Sequence, residues 1–217
     1  MSTEAAPPSR PARLTALLDP RLSRWLWLVK WLLAIPHHII LAFLWLAYVV
    51  LGVIAFFAIL FTARYPRALF DFNVGVLRWN WRVAYYAYTL GTDRYPPFTL
   101  AEVPDYPAHF DVAYPRQLSR GLVLVKWWLL AIPHYLVLGF FLGGYHLSWG
   151  AGGLIGLLGL FAGIALLFTG IYPPGIYALL LGLNRWVLRV VAYAGLLTDE
   201  YPPFRLDQGG REPLPLP

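Results

Sequence analysis

The chain has 217 residues, of which 59% are hydrophobic, 17% aromatic and only 13% charged, with a formal net charge of +6. A soluble domain carries about 25% charged residues, so roughly half the expected surface charge is missing, and the remaining apolar surface calls for lipid. The absence of cysteine excludes disulfides, thiolate metal sites and a cysteine nucleophile. The basic residues lie among Trp and Tyr beside apolar runs, which suits an anionic membrane surface and argues against nucleic acid.

In chain order, residues 1–21 read as a disordered or extended arm and 207–217 as a disordered tail, both rich in Pro, Gly or Ser. The first 24 residues show no short apolar core followed by a small-residue cleavage site, so no cleaved signal peptide is expected. Trp25 to Phe61 is one apolar stretch whose only breakers are Pro36 and Gly52. It is either one long kinked helix or a tight hairpin. Pro36 should kink it, with His37 next to the carbonyls so freed.

After Tyr65-Pro66 comes a helix-length segment, 67–90. Asp71, Arg78, Arg82 and Thr89 share one face of it, with Phe70, Val74, Leu77, Trp81 and Tyr88 filling the rest. That pattern reads as an amphipathic helix in the headgroup plane. A transmembrane placement would bury two arginines at about 2.5–3.5 kcal/mol apiece. Asp93 then leads into YPPF, where a proline pair bars a helix interior. Asp93 is expected to start that turn or to pair with Arg82, and Asp199 likewise with Arg189.

From there the chain repeats itself. LSRWLWLVKWLLAIPHH at 22–38 returns as LSRGLVLVKWWLLAIPHY at 118–135. RWNWRVAYYAY at 78–88 returns as RWVLRVVAYAG at 185–195, and TDRYPPFTL at 92–100 as TDEYPPFRL at 198–206. Self-similarity on this scale means two copies of one unit, here 22–106 and 107–206. PAHFDVAYP at 107–115 alternates like a short strand, and PARLTALLDP at 11–20 is its degraded counterpart. The two are expected to pair on the cytoplasmic face and tie the copies together.

The second apolar stretch, Leu122 to Phe168, is divided by GGYHLSWGAGG at 143–153 into two segments near 20 residues, each long enough for a bilayer core of about 30 Å. All fifteen arginines lie outside that divider. If each stretch is a hairpin, every arginine falls on one face, which the positive-inside tendency makes cytoplasmic. The expected fold is therefore an all-α integral membrane protein. It is a tandem duplicated helical-hairpin unit of about four spans, with interfacial amphipathic helices, short strands on the cytoplasmic face and both termini cytoplasmic.

KWLLAIPH, the RYP after the first apolar stretch, GVLRWNWRVAYYAYTLGTDRYPPF and the following DYP resemble the bacterial membrane family known as domain of unknown function number 4389. The resemblance covers about 22–206. It implies a multi-pass protein of the bacterial cell membrane and no reaction. The second copy departs from it at YPPGIYALLLGLNRWVLR, which lacks the equivalents of Asp71 and Phe72.

The candidate lipid-headgroup contacts are Arg78, Arg82, Arg185, Arg189, Lys30 and Lys126, the two lysines snorkelling from the apolar edge. His37 and His134 are the candidate intramembrane polar contacts, facing each other across an internal axis. Lys30 lies seven residues before His37 and Lys126 eight before His134, so the register differs between copies and argues against a shared site. No GxSxG, GxGxxG, HExxH or phosphate loop is present. No catalytic residue, metal or cofactor is expected. The expected role is a non-enzymatic membrane scaffold or accessory subunit, with anionic lipids and a membrane-protein partner or second copy as partners. The alternatives are a small lipid or solute carrier and, after that, a membrane enzyme acting on lipid headgroups.

Overall fold

The computed structural model describes residues 11–142 and 153–207. Residues 143–152 of the glycine-rich divider, 1–10 of the expected N-terminal arm and 208–217 of the tail lie outside the described residues, whereas 12–16 of that arm form a strand. In order, the elements are β1 (Ala12–Ala16), α1 (Trp27–Leu33), α2 (Ile35–Thr62), α3 (Arg67–Ala87), β2 (Ala108–Val112) and α4 (Arg120–Val125). A π-helical turn (Lys126–Leu130) follows, then α5 (Ile132–Leu142), α6 (Leu154–Thr169) and α7 (Pro174–Ala194).

The first apolar stretch is not a hairpin. α2 runs unbroken for 28 residues. Gly52 does not interrupt it, and a Cβ built there would meet nothing within 4 Å. Pro36 does not kink it either, because it stands in the first turn, where its missing N–H costs no hydrogen bond. The helix is interrupted two residues earlier, at Ala34, between α1 and α2. α2 ends where Ala63 turns left-handed (φ 58°), and Pro66 prevents it resuming.

Among the described residues two helices, α2 and α7, are long and apolar enough to cross a membrane, or three if α4–α5, bent by 43°, counts as one. They differ in surroundings. Only 17% of the apolar window of α2 is buried inside the molecule, against 67% for α7. α7 is thus an interior helix, and it is α2 that needs an outside cover. The composition is compatible with a membrane location.

α3 is enclosed rather than spread on a surface. It packs against α2, against β2 and into a core shared by both copies, and Phe70, Leu77, Trp81, Tyr85 and Tyr86 are all buried. The expected headgroup-plane helix at 67–90 is replaced by this inner one. Its polar positions find protein partners, so burial costs less than the spacing alone suggests.

β1 and β2 pair antiparallel, with Leu14 opposite Phe110 at the centre. Each strand lies on the other copy's helix: β2 contacts α3, and β1 contacts α7. Arg78 Nε donates to Phe110 O at 3.0 Å and Arg185 Nε to Leu14 O at 3.2 Å. The two copies are therefore related by a pseudo-two-fold axis through the Leu14–Phe110 pair, with their leading strands exchanged. Elsewhere Gly163 of α6 lets the Trp27 ring of the first copy approach so closely that a Cβ would sit 2.9 Å from it. Tyr85 Oη meets Tyr177 Oη at 3.0 Å, and Tyr172 Oη donates to Thr89 O at 2.6 Å. One hydrophobic cluster therefore draws on both copies, beside a smaller one between α2 and α3.

Candidate functional site

The sequence-predicted residues converge on one arrangement, built twice. In the first copy Lys30 is fully buried on α1. Its Nζ donates to Thr92 O at 2.7 Å and lies 2.7 Å from Asp93 Oδ1, with the Tyr86 ring 5.2 Å away. Asp93 Oδ2 in turn accepts the Ser23 N–H at 2.5 Å, so the carboxylate also fixes the chain entering α1. In the second copy Lys126 Nζ donates to Thr198 O at 2.9 Å and to Asp199 Oδ1 at 2.6 Å, and Tyr193 lies 5.6 Å off. Asp199 Oδ2 accepts Ser119 N–H at 2.6 Å, and Ser119 Oγ caps α4 through Leu122 N.

Two expectations change here. The lysines do not snorkel to headgroups, because their ammonium groups are held inside by an aspartate and a carbonyl. The aspartates pair with these lysines rather than with Arg82 and Arg189.

The register mismatch also resolves. The extra residue of KWWLLAIPH relative to KWLLAIPH falls in the π-helical turn at Lys126–Leu130. A π turn closes i→i+5 and so takes up one more residue than an α turn. Lys126 and His134 therefore both reach the places that Lys30 and His37 hold in the first copy. Deleting Trp127 is accordingly expected to convert the π turn to an α turn and to shift the melting temperature by only a few degrees. That corresponds to about 1 kcal/mol or less. Deleting Trp31 from the matching helix, which has no residue to spare, should abolish a cooperative transition in the same detergent thermal-shift assay.

Each histidine sits in an aromatic cage of its own copy. His37 Nδ1 accepts the Trp79 indole N–H at 3.0 Å, and the ring stacks on Phe98 at 4.0 Å with Tyr95 at 4.9 Å. His134 repeats this with Trp186 at 3.1 Å, Phe204 at 4.4 Å and Tyr201 at 4.9 Å. The expected meeting of His37 with His134 across the axis is thus replaced by two separate cages. An Nδ1 that accepts from an indole places the ring proton on Nε2. Among the described residues neither buried Nε2 atom has a hydrogen-bond partner. His38, next in sequence, turns to Ala34 O and to Tyr88 Oη at 2.9 Å.

The four arginines assigned to headgroups are instead braces. Arg78 bonds Phe110 O, Leu100 O and Asp111, and lies 2.6 Å from Glu102. Arg82 is buried and donates from Nη2 to Thr99 O, with Nε and Nη1 unpartnered, and burial pulls its guanidinium down from the usual range. Arg185 bonds Leu14 O, and Arg189 bonds Arg205 O at 3.1 Å and Asp207 O at 2.5 Å. Asp71, on the same face by spacing, pairs with Arg67 instead. Buried polar groups without water must find such partners, and here the backbone of the YPPF segments and of the strands supplies them.

The cage tryptophans Trp79 and Trp186 and the YPPF aromatics went unassigned in the sequence. The signal was present: RW and YPPF stand at matching places in both copies. Among the described residues no group of three or more His, Asp or Glu side chains is placed to hold a metal ion. An open, shallow pocket lies beside β1, lined by Pro11, Arg189, Thr198, Glu200 and Tyr201.

The family described as Domain of unknown function (DUF4389) matches residues 24–99 and again 128–205. No curated protein and no solved structure matches the chain.

Proposed function

Since the chain belongs to the DUF4389 family, with two tandem copies, we propose that this member is a non-enzymatic membrane scaffold or accessory subunit. One observation carries the reading. The lysines and the histidine Nδ1 atoms that looked like a site are engaged in duplicated internal contacts, while the apolar surface of α1, α2 and α4–α6 is left open. An ammonium buried between a carbonyl and a carboxylate, with an aromatic ring beside it, is not presented to a substrate. Symmetric repetition of the same lock also fits a framework better than a catalytic centre, for which one copy would suffice.

The carrier alternative requires a cavity that takes a lipid or solute, and the pocket described beside β1 is open and shallow. Purified protein incubated with fluorescent-phospholipid vesicles and acceptor vesicles is expected to leave the spontaneous transfer rate unchanged. In mild detergent it should elute with a protein partner, or a second copy, at fixed stoichiometry. Accelerated transfer, or one phospholipid per chain surviving purification with no protein partner, would replace the scaffold by a carrier.

A further inference from the structure

The direction of α3 decides how the molecule meets the membrane. α3 is tied to α2 by the Trp79–His37 and Trp45–Asn80 bonds, the latter 3.3 Å, and by Tyr88 to His38. From Trp45 to Thr62 α2 runs about 26 Å, and from Arg67 to Asn80 α3 runs about 20 Å, at 1.5 Å per residue. The link between Thr62 and Arg67 spans at most about 17 Å. With about 10 Å between the contacting helices, these lengths close only if α3 lies within roughly 70° of antiparallel to α2.

Suppose α2 stood upright across a bilayer. Asn80 meets Trp45, about 15 Å along α2, so Arg78, two residues earlier on α3, lies roughly 5–15 Å inside an apolar core of about 30 Å. Asp111 and Glu102 sit on Arg78, and their side chains are 70% and 42% exposed. Arg13, the exposed register partner of Asp111, comes with them. Ionised groups facing acyl chains at that depth are strongly unfavourable. An upright α2 is therefore incompatible with the exposed charges beside α3.

We infer that the protein is monotopic: α1, α2 and α4–α6 form one apolar layer lying within a single leaflet, with the β1–β2 sheet held in water. This rests on the membrane reading above and replaces the even-span threading. On α2 the exposed Phe43, Val50 and Phe57 recur every seven residues as one stripe, and Phe140 of α5 and Phe161 of α6 are exposed as well. No large apolar side chain of α3 is exposed. A layer one helix thick is about 10 Å, the depth of an interfacial insertion. Setting the pseudo-two-fold axis along the membrane normal gives both copies the same leaflet. Arg64 follows α2 directly, and the Leu118 N–Ala63 O bond at 2.9 Å brings the turn carrying Arg116 and Arg120 beside it. These exposed arginines rim the apolar layer, so the leaflet it fits is anionic.

The cysteine-free chain permits a direct test. In the double variant Arg64→Cys/Asp105→Cys the thiols mark opposite ends of α2, since Asp105 O holds Arg94 beside the Lys30–Asp93 pair. The full chain is reconstituted in vesicles of phosphatidylglycerol and phosphatidylcholine and treated with an impermeant maleimide. After lysis it receives a second maleimide of different mass. Intact-protein mass spectra should show molecules with two first labels or none, because both ends share one side. Molecules with one label of each kind would overturn the inference and leave the membrane reading standing. Failure of the protein to float with the vesicles would overturn both.

Discussion

Replacing Asp93 with Leu is expected to destabilise the protein by about 3–5 kcal/mol, the range found when one partner of a buried ion pair is removed. The cost falls on Lys30, which is fully buried and would keep only Thr92 O and the Tyr86 face. Asp93, by contrast, retains 23% exposure, so Lys30→Met should cost less than Asp93→Leu. The double variant Lys30→Met/Asp93→Leu should recover much of the loss, because no orphan charge remains. Lys126 and Asp199 should give the same series. Denaturant unfolding in a fixed detergent measures all of these. A neutral Asp93→Leu would mean that the ammonium reaches headgroups after all.

Phe110→Ala is expected to cost about 3–5 kcal/mol, as for a fully buried phenylalanine whose loss leaves a cavity. Phe110 is central in β2, opposite Leu14, and its own carbonyl accepts Arg78, so the gap would open where the two copies cross. Phe43→Ala, on the exposed stripe of α2, should change stability in detergent by less than about 0.5 kcal/mol. Equal effects at the two positions would mean that the exchanged strands contribute no more than a lipid-facing side chain.

Much of the architecture was legible because duplication is a long-range signal. The repeated words marked two copies, and the alternation in 107–115 marked a strand that does pair with 11–20. The first apolar stretch misled because Pro36 was weighed as a breaker, whereas position decides: at a helix start the same ring is harmless. The amphipathic pattern of 67–90 was read correctly as a helix and wrongly placed. A helix with arginines on one face looks alike whether those arginines meet phosphates or backbone carbonyls, and only the folded strands reveal the carbonyls. The site residues were chosen well as a set. Their partners were not visible, since Lys30 with Asp93 and His37 with Trp79 are joined across 63 and 42 residues by nothing periodic. The one-residue offset between Lys126 and His134 was counted as evidence against equivalence because spacing arguments assume an α-helix throughout, and a π turn breaks that assumption.

The claim on which the rest depends is that the copies interlock through β1 and β2 in one register. Arg13 and Asp111 are paired across the strands, where Cα atoms lie about 4.5–5.5 Å apart, within disulfide range. Oxidising the variant Arg13→Cys/Asp111→Cys should yield a monomer without free thiols, read by intact mass. Arg13→Cys/His109→Cys, one diagonal step of about 7–8 Å away, should stay reduced. A disulfide in the diagonal variant to the same extent, or linkage only between chains, would contradict the exchanged-strand arrangement.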